Sequence, residues 1–126
     1  MTTWLASNWW RTNLNQSREI TPLDKASKQL VFPKDIPNLQ KVWGELNVGD
    51  RILVRRFVNS EYRKVYVIYA GIVGAMTEDE HGKNYIVRFS KTKEFSPAFN
   101  LNQDSSPTSA ILKPLKLRAE AEELSL

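Results

Sequence analysis

The chain contains no cysteine, a single histidine and no long run of apolar residues. The absence of cysteine excludes disulfides, thiolate nucleophiles and sulfur-ligated zinc. A transmembrane helix needs roughly 20 predominantly apolar residues, and no segment approaches that length. The polar, tryptophan-rich first residues also lack the basic segment and apolar stretch of a secretory signal. These absences predict a cytoplasmic protein that does not insert into a membrane.

Catalytic patterns are also scarce. His81 lies in the polar stretch EDEHG with Glu78, Asp79 and Glu80, which is typical of a solvated turn rather than of a buried acid–base pair. Glycine-rich phosphate loops, His-x-x-x-His spacings and nucleophile elbows are absent from the sequence. An enzyme would have to assemble Asp, Glu, Lys, Ser or Tyr side chains through folding alone. We therefore expect no enzymatic activity, no cofactor and no metal site.

The composition of the 126-residue chain is that of an ordinary globular protein, with 41% hydrophobic and 25% charged residues. A chain of this length has room for one domain with a hydrophobic core. We expect that domain to span residues 1–117. Residues 118–126, which include Glu120, Glu122 and Glu123, are expected to form an acidic turn or tail.

Positive charge is concentrated in the middle of the chain. Overall, 18 Lys and Arg residues outnumber 14 Asp and Glu residues, which permits an anionic partner. Residues 51–64 hold five basic residues and one acidic residue, Glu61. The candidate phosphate-binding residues are these five and one near the amino terminus: Arg51, Arg55, Arg56, Arg63, Lys64 and Arg11. Contacts from such residues to phosphates would supply most of the salt-dependent affinity for a nucleic acid. The alternative is a solvated strand face that happens to be basic.

Two segments of the first half predict short helices. LDKASKQL, residues 23–30, has the composition of a short helix between polar stretches. In IPNLQKVWGEL, residues 36–46, the apolar residues Leu39, Trp43 and Leu46 recur at spacings of four and three. That spacing predicts a helix with one apolar side.

Alternating and β-branched residues predict the strands. The predicted strands are TTWLAS at residues 2–7, RILVRRFV at 51–58, VYVIYAGIVGAM at 65–76 and NYIVRFS at 84–90. In the first of these, Trp4 and Ala6 alternate with Leu5 and Ser7, as on the two faces of a strand. The third is apolar throughout and predicts a central strand buried on both faces.

The remaining segments complete the predicted fold. Residues 91–109 contain Pro97 and Pro107 and predict a long irregular connection. AILKP, residues 110–114, predicts an edge strand, because proline is tolerated at an edge. The order of elements indicates a single α+β domain, mostly β, with a curved mixed sheet or small barrel and covering helices. The strands at 51–58, 65–76 and 84–90 are expected to be neighbours in that sheet.

The stretch WLASNWWRTN, residues 4–13, holds three of the four tryptophans. We expect Trp4 to belong to the core because it lies within a strand, and Trp43 because it follows Leu39 at helical spacing. Trp9 and Trp10 are adjacent, so in most geometries both cannot face the same core. At least one is expected to be partly exposed, either as the wall of a ligand pocket or as part of a protein interface.

Two blocks of the sequence resemble a known superfamily. LNVGDRILVRRF, residues 46–57, is followed about twenty residues later by YAGIVGAM, residues 69–76, and is preceded by Trp43. This arrangement is similar to the PUA-like superfamily, in which a Gly-Asp turn opens one barrel strand and a Gly-[Ile/Val]-Val-Gly strand follows. Within the superfamily it is most similar to EVE domains, the relatives of YTH and ASCH domains, which also begin with a strand that carries an early tryptophan. The resemblance implies a PUA-like fold over most of the chain.

The resemblance also implies a site. PUA-like domains mostly bind nucleic acid, and the EVE and YTH branches accept a single base, often a modified one, in an aromatic pocket. Carried onto this chain, the pocket would be formed by Ser7, Asn8, Trp9, Trp10, Trp43, Gly71, Ile72 and Val73. An unpaired base offers a flat face for tryptophan and a polar edge for Asn or Ser, so these residue types suit that ligand.

Two hypotheses therefore lead. The first is a nucleic-acid-binding module, for DNA or RNA, that reads a modified or flipped base in an aromatic pocket. The second is a protein-interaction module, for example a small phage or mobile-element regulator or inhibitor, that docks on its partner through exposed tryptophans.

Overall fold

The computed structural model describes residues 1–7, 9–11, 17–19, 23–36, 38–56, 64–104 and 111–116. These residues form strands β1 (Thr3–Ser7), β2 (Trp9–Arg11), β3 (Ser17–Glu19), β4 (Leu23–Asp24), β5 (Gln29–Pro33), β6 (Arg51–Arg56), β7 (Lys64–Glu78), β8 (Asn84–Asp104) and β9 (Leu112–Pro114), and helix α1 (Leu39–Trp43). Within this described part, no helix has the length and apolar character needed to cross a membrane. The predicted acidic segment 118–126 lies outside the described residues, as do strand positions 57 and 58.

The prediction of a mostly β protein is confirmed. The main sheet has seven strands in the order β4-β5-β8-β7-β6-β1-β9, and β2 and β3 form a separate antiparallel pair. Strands β6, β7 and β8 are neighbours, as their sequences predict, and β7 is the middle strand of the sheet. Strands β1 and β6 run parallel, whereas the other pairs are antiparallel, so the sheet is mixed.

The sheet has an apolar cluster on each of its two faces. On what we call the first face, Trp4 of β1 belongs to a large core cluster with Ile52 of β6 and Tyr69 of β7. On the second face, Leu5 of β1 belongs to a smaller cluster with Leu53 of β6. Successive strand residues project to opposite faces, so neighbouring positions feed different cores. The prediction that Trp4 is a core residue is confirmed, since only 2% of it is exposed.

The ring of Phe89 on β8 lies directly against Gly71 of β7. A Cβ atom at this position would lie 2.4 Å from Cδ1 of Phe89, far inside van der Waals contact. The ring of Phe89 therefore lies across the first face where any other residue would project a side chain. The register between β7 and β8 shifts at several points, including between Ile72 and Val73, which allows two strands of such length to stay paired.

The predicted helix at residues 23–30 is wrong. The chain forms β4 there, turns, and then enters β5. The carboxylate of Asp24 accepts a hydrogen bond from the backbone N–H of Ser27 at 3.1 Å, which stabilises a turn in place of a helix. Leu30 and Phe32 are both fully buried from β5, so pairing with β8 and burial in the core outweigh the local helix preference.

The predicted irregular connection is also wrong over residues 91–104, because β8 continues to Asp104. Strand β7 pairs with this extension from Ile72 back to Lys64. The ladder passes from Glu94 to Phe99, so residues 95–98, which include Pro97, are left out of the pairing. Proline cannot donate to a ladder, and the excursion accommodates it. Residues 105–109 lie outside the described part.

The other predicted elements of the described part are present. Helix α1 occupies the middle of the predicted segment 36–46, and its Leu39 is buried in the first core. Strand β9 is an edge strand, paired with β1 only, and it ends at Pro114 as predicted.

Candidate nucleic-acid interface

The turn before β6 ties the start of that strand to β1 and β7. Gly49 adopts a φ of 95°, a conformation that favours glycine, and its N–H donates to the carbonyl of Val73 at 2.8 Å. The carboxylate of Asp50 accepts three hydrogen bonds, each of 3.0 Å, from the N–H groups of Thr2 and Asn47 and from the indole Nε1 of Trp4. The turn thus aligns three strands of the sheet.

The Asp50 carboxylate is buried and ionised. Burial alone would raise its pKa, but the hydrogen bonds from Thr2, Asn47 and Trp4 outweigh burial and hold the pKa below its ordinary value. A buried carboxylate of this kind stabilises the fold only while its donors remain in place. Asp50 therefore fixes how β1 lies beside β6, and with it the residues that face each other across the sheet.

Three rows of paired residues cross the second face. The rows are Lys113, Leu5, Leu53, Ala70 and Lys93; then Thr3, Arg51, Ile72 and Lys91; then Ser7, Arg55, Val67 and Phe99. Directly paired residues project to the same side of a sheet, so each row lies on one face. The rows contain basic residues from β6, β8 and β9 and no acidic residue. We call the set Arg51, Arg55, Lys91, Lys93 and Lys113 the basic face.

The members of the basic face differ in their access to solvent. Lys91 and Lys93 are exposed, and Arg51 and Lys113 are partly buried. Arg51 donates from Nε and from a terminal nitrogen to Oγ1 of Thr3, at 3.2 and 3.0 Å. The lysines of β8 can therefore reach a ligand directly, whereas the Arg51 guanidinium is positioned by the neighbouring strand.

Arg55 differs from the other members because it is only 3% exposed. Its guanidinium donates to the backbone carbonyl of Lys64 at 2.5 Å, where β7 begins. Burial lowers the pKa of Arg55, and burial together with the charge of Arg55 lowers the pKa of Lys113. Lys64 itself is exposed at the start of β7. The basic face thus combines a buried cation, Arg55, with the exposed ammonium groups of Lys91 and Lys93.

Two half-buried phenylalanines continue the basic face along β8. Phe95 and Phe99 pack against the second core, and their ring centroids lie 5.9 Å apart with planes tilted by 45°. The ammonium of Lys93 lies over the Phe95 ring, 5.2 Å from its centroid. The second face therefore combines cations with aromatic surface.

The residues assigned to the base pocket do not come together on one face. Ser7 is buried on the second face opposite Arg55, and Ile72 is on the same face opposite Arg51. Gly71 is on the first face, beneath Phe89, and Val73 belongs to the first core. The aromatic ring of Phe89 thus occupies the space beside Gly71.

Trp43 is partly buried and packs against the first core, as expected from its helical spacing with Leu39. Its ring stacks on Tyr85, with centroids 4.5 Å apart and planes within 16° of parallel. A groove of about 430 Å³ opens near this stack and is lined by Pro33, Lys34, Asp35, Lys83 and Asn84. Lys34 bonds to Glu78 and lies 4.8 Å from the centroid of the Tyr85 ring. The lining of the groove thus includes a cation that lies over the Tyr85 ring, whereas Trp43 is not among the lining residues.

Other predicted site residues lie outside the described part or are described in backbone only. Asn8 and Arg63 belong to the former. Trp9, Trp10 and Arg11 form strand β2, in which Trp9 pairs with Glu19 of β3, and Arg56 ends strand β6. The roles of these side chains stay predictions.

The sequence contained a signal for the basic face that pattern reading missed. In SKTKEF, the lysines at 91 and 93 alternate with Thr92, the spacing that places two side chains on one face of a strand. Pro97 and the polar residues after it led to an irregular prediction for the whole segment. Lys113 was likewise visible on the predicted edge strand, but its neighbours across the sheet were not.

No family model matches this chain, and no curated protein matches it in sequence. Among the described side chains, no group of His, Asp and Glu residues could hold a metal ion. The resemblance to the PUA-like superfamily therefore stays a prediction.

Proposed function

We propose that this protein is a nucleic-acid-binding module that contacts phosphates through its basic face. The observation that carries the proposal is the set of three register rows, in which basic residues from β6, β8 and β9 share one side of the sheet without an acidic residue. A nucleic acid presents a line of negative phosphates, and cations on a rigid surface can bind several of them at once. The net charge of the whole chain, +4, is also positive, as is that of the basic face.

The basic face is supported by a packed cluster. Leu5, Leu53, Val67 and Ala70 are buried within the same rows, so the strands that carry the cations are held rigidly. A rigid surface loses less conformational entropy when a ligand binds than a flexible tail does. In this proposal Lys91 and Lys93 contact phosphates directly, and the buried Arg55 contributes charge from below.

The proposal includes the finer expectations from the sequence. We propose a PUA-like domain with covering helices in the cytoplasm, where nucleic acid is accessible. The conformation of Gly49 and the hydrogen bonds of Asp50 support this assignment, because the Gly-Asp turn is one of the blocks on which the resemblance depends. Reading of a modified or flipped base would fall to the segment that includes Trp9 and Trp10.

The test is a binding titration with single-stranded and duplex DNA and RNA over a range of salt concentrations. We expect affinity to fall as salt rises, with a log–log slope of about 0.7 to 0.9 per phosphate contact. Replacement of Lys91 and Lys93 together by Ala should reduce that slope by about 1.4 to 1.8, because two contacts are lost.

Lys41→Ala is the matched control. Lys41 is also exposed, but it lies on α1, away from the second face, and its removal should leave the slope unchanged. Binding that is insensitive to salt would contradict the proposal that the basic face contacts phosphates. An equal change of slope in the Lys91 and Lys93 double variant and in Lys41→Ala would contradict it as well. A chain that binds no nucleic acid at low salt would favour the protein-interaction hypothesis.

A further inference from the structure

Phe95 is placed where a flat ligand on the basic face would meet it. The residue directly follows the exposed part of β8 that carries Lys91 and Lys93, and it begins the excursion 95–98 that leaves the ladder with β7. One side of Phe95 packs against the second core, and Phe99 is tilted against it. The ring is therefore fixed in place while it remains partly exposed.

The ammonium of Lys93 covers the Phe95 ring at a distance of 5.2 Å from its centroid. An exposed cation–π contact of this kind is weaker than the stacking of a nucleobase on an aromatic side chain. A base can therefore displace the ammonium from the ring, and the displaced ammonium remains within reach of the phosphate next to that base.

We propose that the nucleic acid bound by this protein is single-stranded, with one base stacked on Phe95 and the flanking phosphates held by Lys91 and Lys93. This inference rests on the proposed function and names its ligand more closely. In a duplex, the faces of the bases are covered by their neighbours, and only the phosphates and groove edges are accessible. A single strand offers the free π face that Phe95 can bind, in addition to its phosphates.

The arrangement predicts tolerance of sequence. Stacking uses the face of a base, which all bases share, and lysines bind phosphates, which carry no sequence information. Single-stranded DNA and RNA both present these groups, so both are expected to bind.

The experiment compares four probes of about 12 nucleotides, a length within the range of small single-strand sites. They are single-stranded DNA, single-stranded RNA, the matching DNA duplex, and an abasic DNA strand that keeps the phosphates but lacks the bases. For the unaltered protein we expect the base-containing strands to bind about 5- to 150-fold more tightly than the abasic strand, the equivalent of one stacked base. This comparison needs no variant.

Phe95→Leu keeps an apolar side chain against the second core but removes the aromatic face. We expect it to weaken binding of the base-containing strands about 5- to 150-fold and to change binding of the abasic strand and the duplex by less than about twofold. Phe95→Tyr, which restores a ring, should recover the affinity. Thermal unfolding of each variant confirms that the folded protein is measured.

The inference and the proposed function fail in different ways. If the abasic strand and the duplex bind as tightly as the base-containing strands and salt still weakens them all, phosphate binding stands and the single-strand inference is overturned. Equal loss of affinity for all probes in Phe95→Leu would overturn it as well. If none of the four probes binds at low salt, the proposed function itself is wrong.

Discussion

The two faces of the seven-stranded sheet are built from the same strands but hold their polar groups differently. On the first face, the indole of Trp4 is buried and bonded to the buried carboxylate of Asp50, so these two polar groups pair inside the protein. On the second face, Lys91 and Lys93 extend into solvent from a packed cluster. Both faces therefore contribute a packed core, and the second in addition presents exposed lysines that can carry charge for a ligand, because exposed lysines cost little to maintain.

The largest effect is expected at Trp4. Trp4→Ala removes a large buried ring from the first core and one hydrogen bond to Asp50, which together should cost about 3 to 5 kcal/mol of the free energy of unfolding. Denaturant unfolding monitored by circular dichroism measures this loss. Trp4→Phe, which keeps much of the ring, should cost less. A cost below about 1 kcal/mol for Trp4→Ala would mean that the first face is not the principal core.

The next effect concerns the charge of Asp50. Asp50→Asn replaces a carboxylate that accepts three hydrogen bonds with an amide, and should cost about 1.5 to 3 kcal/mol at neutral pH. The folded pKa of Asp50 is below its ordinary value of 3.8. Its stabilisation is therefore complete above the ordinary value and is lost as pH falls from there through the folded pKa.

Unfolding free energies measured from neutral pH to strongly acidic pH test this linkage. The difference between the natural protein and Asp50→Asn should narrow as the pH falls through the folded pKa, because the carboxylate then becomes neutral in both folded and unfolded protein. A difference that stays constant over the whole range would show that the charge of Asp50 makes no contribution to the first face.

A smaller effect is expected where β7 and β8 meet. Gly71→Ala would place a Cβ atom 2.4 Å from the Phe89 ring, and the ring must move, at a cost of about 1 to 3 kcal/mol. Gly44→Ala is the control, because a Cβ atom there would find its nearest neighbour at 3.5 Å. It should be neutral or slightly stabilising. Equal melting temperatures for the two variants would argue against close packing on the first face.

The smallest effect on stability is expected on the second face. Lys91→Ala should change the free energy of unfolding by no more than about 0.5 kcal/mol, since the side chain is exposed, and Lys93→Ala by no more than about 1 kcal/mol, since it also loses its contact with the Phe95 ring. Thermal unfolding of each variant provides the measurement. A loss as large as that expected for Gly71→Ala would mean that these lysines help to hold the sheet together, and the contrast between the faces would disappear.

Sequence reasoning found the middle of the sheet but not its extensions. RILVRRFV and VYVIYAGIVGAM are long enough, and rich enough in β-branched residues, for local pattern to predict the strands that form β6 and β7. The helix prediction for LDKASKQL is wrong because its residues tolerate a helix, whereas Leu30 pairs with β8, a strand that is distant in sequence. Residues 91–109 predict an irregular connection because of Pro97, Pro107 and the polar residues between them, whereas the strand in fact continues past Pro97 to Asp104.

The candidate site was predicted less well, since it depends on neighbours across the sheet. Arg51 and Arg55 are candidate phosphate ligands from the sequence because their segment is basic. Only the tertiary structure shows that Arg55 is buried and bonded to the carbonyl of Lys64. Lys91 and Lys93 lie in a segment that local pattern predicts to be irregular, so the sequence alone does not indicate that they share one face of a strand.

What the sequence by itself determined is the division of each strand into two faces. Trp4 and Leu5 enter different cores because consecutive residues of a strand without a bulge project to opposite sides. What only the tertiary structure decided is which residues of different strands share a row. Lys93 reaches the same row as Lys113 through pairings between strands far apart in sequence, and such register is set by long-range packing and by the Asp50 turn rather than by local pattern.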